Sequence, residues 1–459
     1  MTEAHGGAPV RCDRRLFGTD GMRGVAGQFP MDGATAYALG VALGEAVSAA
    51  CARAEVVLGM DTRESGPWLA AAVAGGLARA GVGCRFAGVI TTPGIAFLAR
   101  TGAYAAGVMI SASHNPYQDN GIKVFGPSGY KLSDEEEARI EQRILELVAE
   151  GPSPDPVELR TDESLARCYG DYLAGTFPGS LSGWRIVLDC AHGAAHAFGP
   201  ELFRRLGAQV IVMGCSPDGR NINQDCGALH VEGLRQRVVE ERADLGVAFD
   251  GDADRAIFVA GDGRVVDGDA VLWMAGCRLH EQGRLTGKDG PTVVATVMSN
   301  FGLELALKAL GIRLVRTSVG DKYVLEEMLR CDAVLGGEQS GHVIFREYAT
   351  TGDGLLTALR VLEILAHRGR ALHELVSELK LYPQRLVNVR VRERKALETM
   401  PRVMEAMREA ERALGAEGRV FVRYSGTEPL VRVMVEGPEP AAVNGLVERI
   451  AAALEAELG

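Results

Sequence analysis

Short apolar runs alternate with amphipathic stretches along most of the chain. Val56–Met60 (VVLGM) is a continuous apolar run, and Gly66–Ala80 after it has apolar residues at helical spacing. Gly107–Ile110, Arg185–Asp189 (RIVLD) and Gly246–Phe249 predict further buried strands. Strands alternating with helices is the pattern of α/β architecture. Asp134–Glu150 predicts a charged helix that ends at Gly151-Pro152-Ser153-Pro154-Asp155-Pro156, where the prolines forbid continuation and mark a linker. Near the C-terminus the pattern changes. Arg419–Arg423 and Leu430–Val435 alternate apolar and polar positions around a tight loop, predicting an antiparallel hairpin flanked by helices Thr399–Leu414 and Ala441–Leu458.

A weak internal repeat runs through the first three quarters. Gly107–His114 (GVMISASH), Gly246–Asp254 (GVAFDGDAD) and Val334–His342 (VLGGEQSGH) each pass from a short apolar strand into a polar loop. In open sheets, ligands bind at such carboxyl ends of strands. The expectation is three similar α/β domains, 1–155, 156–258 and 259–374, and a smaller C-terminal α+β domain, 375–459.

Composition narrows the partners. The chain has 459 residues and a net charge of −11, which argues against nucleic acid or an anionic membrane surface as a partner. Its nine cysteines include no Cys-x-x-Cys pair, so neither zinc spacing nor a disulfide framework is expected. MTEAHGGAPV lacks the basic start and apolar run of a secretory signal, and no uncharged apolar run approaches the ~18 residues of a membrane span. A cytoplasmic enzyme is expected, and a homodimer is compatible with these features.

The chemistry lies in the loops. Ile110-Ser111-Ala112-Ser113-His114-Asn115-Pro116, with Asn120-Gly121-Ile122-Lys123 after it, is either a polar turn or a nucleophile loop. In the second case Ser113 carries a phosphoryl group, with His114 and Lys123 in reach. It is not the Gly-x-Ser-x-Gly elbow of hydrolases. Asp250-Gly251-Asp252-Ala253-Asp254-Arg255 follows a buried strand, and three carboxylates so close repel unless a cation sits among them. An EF-hand fails because Arg255 and Gly261 stand where glycine and glutamate are required. An aspartyl nucleophile of the Asp-x-Asp type leaves the third carboxylate unexplained. Hard oxygen donors with small spacers suit Mg²⁺.

Two more loops suit sugar and phosphate. Gly336–His342 places Glu338, Ser340 and His342 at alternate positions, fit for hydrogen bonding to vicinal hydroxyls, or else a glycine-rich turn. Arg423-Tyr424-Ser425-Gly426-Thr427 offers a guanidinium, hydroxyls and free backbone N–H groups for a phosphate, or else a simple turn. Gly283–Asp289 fails the nucleotide P-loop pattern in spacing and in its last residue. Phe17–Gly24 (FGTDGMRG) adds Arg23 in a glycine-rich loop.

Together FGTDGMRG, ISASHNP with NGIK, DGDADR, GEQSGH and RYSGTEP, in this order, resemble the α-D-phosphohexomutase superfamily over essentially the whole chain. The resemblance implies four domains around a central cleft. It also implies a phosphoserine at Ser113 and one Mg²⁺ per chain on Ser113, Asp250, Asp252 and Asp254. Arg23, His114, Lys123 and Arg255 would line the reaction centre, with Lys123 and His342 both open as general base. Gly320, Asp321, Glu338, Ser340 and His342 would hold the sugar, and Arg423, Ser425, Gly426 and Thr427 its distal phosphate. Gln339 and Val319-Gly320-Asp321-Lys322-Tyr323 resemble the glucosamine-phosphate members, with Lys322 where Arg is common. The implied reaction interconverts glucosamine 6-phosphate and glucosamine 1-phosphate through a sugar 1,6-bisphosphate, feeding UDP-N-acetylglucosamine and cell-wall synthesis. A phosphomannomutase/phosphoglucomutase of the same mechanism is the alternative.

Overall fold

The apolar run Glu55–Met60 is buried because strands lie on both sides of it. Gly83–Val89 and Ala106–Ile110 flank it in parallel, and Asp119–Phe125 returns antiparallel against Ala106–Ile110. The computed structural model describes residues 16–50, 53–151, 154–155, 157–424 and 429–458. Two further sheets repeat the arrangement. Leu245–Phe249 lies parallel to Arg185–Asp189 and antiparallel to Ala256–Ala260. Leu335–Gly337 lies parallel to Thr292–Thr296 and antiparallel to Val343–Phe345. The sheets have six, five and four strands. Each of the three repeated polar loops is therefore the turn where a parallel strand meets its antiparallel return, rather than a strand-to-helix crossover.

By its internal contacts the chain forms two compact units, one within Met1–Val297 and Val315–Val376, the other within Met298–Leu314 and Ser377–Gly459. In the first, helices Gly33–Ala50 and Gly66–Arg79 touch backbone to backbone. A Cβ on Gly40 would lie 2.1 Å from the Val73 carbonyl oxygen, and one on Gly76 2.1 Å from that of Tyr37. The predicted charged helix is Asp134–Ala149. Ser133 caps it and Glu136 completes a capping box, so its acidic first turn faces the positive end of the dipole. In the second unit, Arg419–Tyr424 and Gln384–Arg390 both pair antiparallel with Leu430–Glu436, and helices Pro401–Leu414 and Pro440–Leu458 pack on the sheet through Val403, Leu414, Val447 and Leu454. The strand Gln384–Arg390 is absent from the sequence-based expectation, because half of its residues are polar. Among the described residues no helix is long and apolar enough to cross a membrane.

Asp353 ties two helices of the first unit. Its Oδ1 accepts the Leu356 N–H at 3.0 Å, capping Gly354–Arg368, and its Oδ2 accepts the Tyr169 hydroxyl at 2.6 Å. Burial pushes its carboxyl up to about 6. Ionisation is thus easier in the unfolded chain, so this group lowers stability as pH rises from about 4 to about 6. Asp353→Asn should remove a penalty of about 3 kcal/mol at neutral pH, less any loss of cap strength. Urea unfolding of both proteins at pH 4.5 and 7.5 measures it: the variant should gain on the wild type more at the higher pH than at the lower.

Candidate active site

Ala106–Ile110 delivers the serine loop to the end of its sheet. Ser113 is 1% exposed and takes a left-handed φ of +53°, which a non-glycine residue holds only when its surroundings enforce it. Its hydroxyl donates to Asp250 Oδ2 at 2.5 Å and lies 3.4 Å from His114 Nδ1. Burial, with Arg255 and Arg23 nearby, lowers the His114 imidazole to about 4, so the ring is neutral at physiological pH.

The aspartate loop is the corresponding turn of the second sheet. Asp250, Asp252 and Asp254 are all buried, with one carboxylate oxygen of each lying within 4.8 Å of the others. Burial and the other two carboxylates push Asp250 well up. Burial opposes the charge of Asp254 too, but Lys123, His342 and Arg255 hold its carboxyl well down. Lys123 Nζ lies 2.9 Å from Asp252 Oδ2, 3.4 Å from Asp254 Oδ2 and 3.0 Å from Asp20 Oδ2. Burial opposes its charge, yet those three carboxylates raise its pKa well above the ordinary lysine value, so it stands as an ammonium and not as a proton acceptor. Asp252 Oδ1 and Asp254 Oδ1 are buried without a hydrogen-bond partner among the described residues. Three carboxylates, two of them with an orphaned oxygen, and an adjoining hydroxyl fit a hard divalent cation.

Beside this centre lies a cavity of about 380 Å³, lined by Arg23, His114, Asp254, Arg255, Gly320, Asp321, Glu338 and His342 among others. The Nε groups of Arg23 and Arg255 are buried without acceptors among the described residues. Glu338 Oε1 accepts the Gly320 N–H at 3.0 Å, which locks the third-sheet turn to the start of helix Asp321–Cys331. The exposed Ser340 stands 3.4 Å from Glu338 Oε2 but does not line the cavity. His342 Nε2 accepts the Gly352 N–H at 3.0 Å, which puts the ring proton on Nδ1, 3.6 Å from Asp254 Oδ1. That lone pair is already in use.

Ser113, His114, Lys123, Arg23, Arg255, the three aspartates, Gly320, Asp321, Glu338 and His342 thus gather in the first unit. Residues that the sequence did not single out join them. Asp20 pairs with Lys123, Lys131 and Arg23, and Lys131 also reaches Asp321 Oδ2 at 2.5 Å. Lys322, the departure noted above, pairs with Asp134 and Glu137. Thr92 donates to Asp252 Oδ2 at 2.5 Å.

Arg423 lies in the second unit, opposite Arg432 on the neighbouring strand. Partial burial and Arg432 lower its pKa, and its Nε finds no acceptor among the described residues. Like charges set opposite one another on a sheet are unfavourable alone and suit an anion. Ser425, Gly426 and Thr427 lie outside the described residues.

Comparison with known proteins accords with this geometry. Residues 14–149, 171–263 and 267–382 match the alpha/beta/alpha domains I, II and III of the phosphoglucomutase/phosphomannomutase family, and residues 386–453 match its C-terminal domain. The chain is 59% identical to a phosphoglucosamine mutase of Solibacter usitatus over 97% of its own length and 99% of the relative's. It is 50% identical to one of Koribacter versatilis, over 97% and 98%. A solved phosphoglucomutase/phosphomannomutase family protein of Burkholderia thailandensis superposes with a TM-score of 0.78 at 25% identity, covering 95% of this chain and 97% of that one.

Lys131 is the sole lysine between Asp20 and Asp321 among the described ion pairs. Burial opposes its charge, and Asp20 and Asp321 restore it. Lys131→Met should leave Asp321 without its lysine and Asp20 with Lys123 and Arg23 alone, and cost about 3–5 kcal/mol. Chemical denaturation checks this, with Lys131→Arg expected to retain most of the stability.

Proposed function

The chain belongs to the phosphoglucomutase/phosphomannomutase family, and on that premise we propose that it interconverts glucosamine 6-phosphate and glucosamine 1-phosphate by passing a phosphoryl group through Ser113. It is an intramolecular phosphotransferase of the hexose-phosphate class, an isomerase built from three α/β/α domains and a C-terminal domain, and its buried aspartate triad is suited to a metal ion. The amino-sugar assignment rests on the near full-length identity to two glucosamine-phosphate mutases. The single structural observation behind the reaction is the Ser113 hydroxyl on Asp250 at the edge of that triad.

Asp250, Asp252 and Asp254, with a phosphate on Ser113, would hold Mg²⁺, which when bound neutralises charge on the transferring group. Phosphoserine 113 gives its phosphoryl group to the free hydroxyl of the sugar phosphate, producing a 1,6-bisphosphate and a free serine. The bisphosphate turns over, and its other phosphate returns to Ser113. Phosphoryl transfer depends on alignment and charge more than on proton removal. Lys123 supplies a fixed positive charge, while Arg255 and Arg23 line the cavity with their own. Glu338, Gly320, Asp321, Ser340 and His342 would orient the sugar hydroxyls. Arg423 with Ser425, Gly426 and Thr427 would bind the phosphate that is not reacting. A sugar 1,6-bisphosphate would also recharge Ser113 whenever its phosphate is lost.

Intact-protein mass and peptide mapping test the central assignment. A fraction of the wild type should carry one phosphate on Ser113. Ser113→Ala should carry none and lose isomerase activity while keeping its fold, even with added bisphosphate. Substantial isomerisation by that variant would sink the assignment. Removing divalent metal with a chelator should stop turnover, and Mg²⁺ should restore it.

Arg423→Ala should cost roughly 10- to 150-fold in kcat/KM, the worth of a charge-assisted hydrogen bond. The loss should be seen with both sugar 6-phosphate and sugar 1-phosphate, since each presents its remote phosphate to the same group. Arg423→Lys should recover only part of it, because an ammonium lacks the planar fork. Unchanged kcat/KM in both directions would return the loop to a plain hairpin turn.

A further inference from the structure

Arg63 lies outside the residues given a role above, and it is the largest side chain in the protein with under 2% exposure. A guanidinium has five N–H bonds. All five have acceptors here, and four of these are main-chain carbonyls of the serine loop. Nε donates to Asp61 Oδ2 at 2.9 Å. Nη2 donates to the carbonyls of Ser113 at 2.9 Å and Asn115 at 2.8 Å, and Nη1 to those of Asp119, at 2.9 Å, and Pro116.

Asp61 completes the brace from the other side. Its Oδ2 accepts the Ser111 hydroxyl at 2.6 Å, and Ser111 Oγ in turn accepts the Ser113 N–H at 2.9 Å. Both peptide groups around Ser113 are therefore held, its N–H through Ser111 and Asp61, its carbonyl by Arg63. Asn223 adds a second donor to that carbonyl at 2.9 Å. The brace is anchored in turn, since the Asp61 N–H donates to the Ile110 carbonyl at 3.0 Å and the Thr62 hydroxyl to that of His192 at 2.6 Å.

We propose that Arg63 is a positioning residue for phosphoryl transfer, a planar clamp that holds the Ser113 backbone in its left-handed conformation so that Oγ keeps one place beside the aspartates with and without its phosphate. This rests on the reading of Ser113 as the phosphoryl carrier. The carrier alternates between a neutral hydroxyl and a dianion next to three carboxylates. A loop free to move would relax away from that charge in one state and towards it in the other. Five hydrogen bonds from one rigid plane resist both displacements. Lysine, with three donors on a rotating ammonium, cannot reach four carbonyls in a plane.

The test uses full-length protein purified with Mg²⁺. In Arg63→Lys, kcat should fall about 100-fold, the usual effect of misplacing a reacting group by ~1 Å. KM for glucosamine 6-phosphate should stay at the wild-type value, since the sugar contacts are elsewhere. Single-turnover transfer from phosphorylated Ser113 to the sugar should slow by the same factor as kcat. Ser111→Ala, which removes one link of the brace and one atom of volume, should show the same split at about tenfold. A purely structural arginine predicts a lower Tm with kcat per folded molecule unchanged, and that result overturns the proposal. If Arg63→Lys fails to fold, Ser111→Ala decides alone: unchanged kcat overturns the proposal, and a fall in kcat at constant KM supports it. Failure of the carrier reading looks different, because the wild type would then carry no phosphate on Ser113 and Ser113→Ala would stay active.

Discussion

One buried ammonium balances the reaction centre. Lys123 is 1% exposed and stands among Asp20, from the glycine-rich loop, and Asp252 and Asp254, from the turn of the second sheet. Remove the charge and three carboxylates face one another in a region of low dielectric, where each isolated ion is costly. Add a divalent cation and the same carboxylates have two competing partners. The ammonium is thus a permanent counter-charge that lets the triad exist before any metal arrives. The cavity groups share this economy of charge: Arg255 stands by Asp254 and Arg23 by Asp20.

The geometry that carries these groups occurs three times. In each sheet of the first unit a parallel strand runs to its end, turns, and comes back antiparallel, and the turn holds the polar residues. Such a turn sets its side chains at the sheet end, where those of the aspartate loop are buried against Lys123 of the first sheet and against Thr92. Gly193 shows how closely the turns approach their neighbours. A Cβ there would lie 2.3 Å from the Gly251 carbonyl oxygen, in the loop that bears the aspartates.

Much of this was legible in the chain, and the reason differs from residue to residue. Asp250, Asp252 and Asp254 announce themselves because like charges at alternate positions need an explanation within the segment itself. Ser113 and Glu338 sit in polar turns after apolar runs, a local pattern. The bracing residues have no such pattern. Thr92 meets Asp252 across 160 positions, Lys131 meets Asp321 across 190, and Arg63 meets Ser113 across 50. Each pairs with a residue far along the chain, and only the folded chain supplies that partner. The strand Gln384–Arg390 is missed because four of its seven residues are polar and they fall on both faces, so no clean alternation marks it.

Asp20 precedes every other charge in this centre, and it contacts both Lys123 and Lys131. A polypeptide made on the ribosome emerges from its amino end, and early domains fold before later ones exist. When the first sheet closes, the aspartate loop has not been synthesised and Asp321 is almost 200 residues away from Lys131. Asp20 is already present, so the nascent sheet can bury two lysines against a carboxylate of its own. The second and third sheets then bring Asp252, Asp254 and Asp321, the carboxylates that complete the pairing of those lysines.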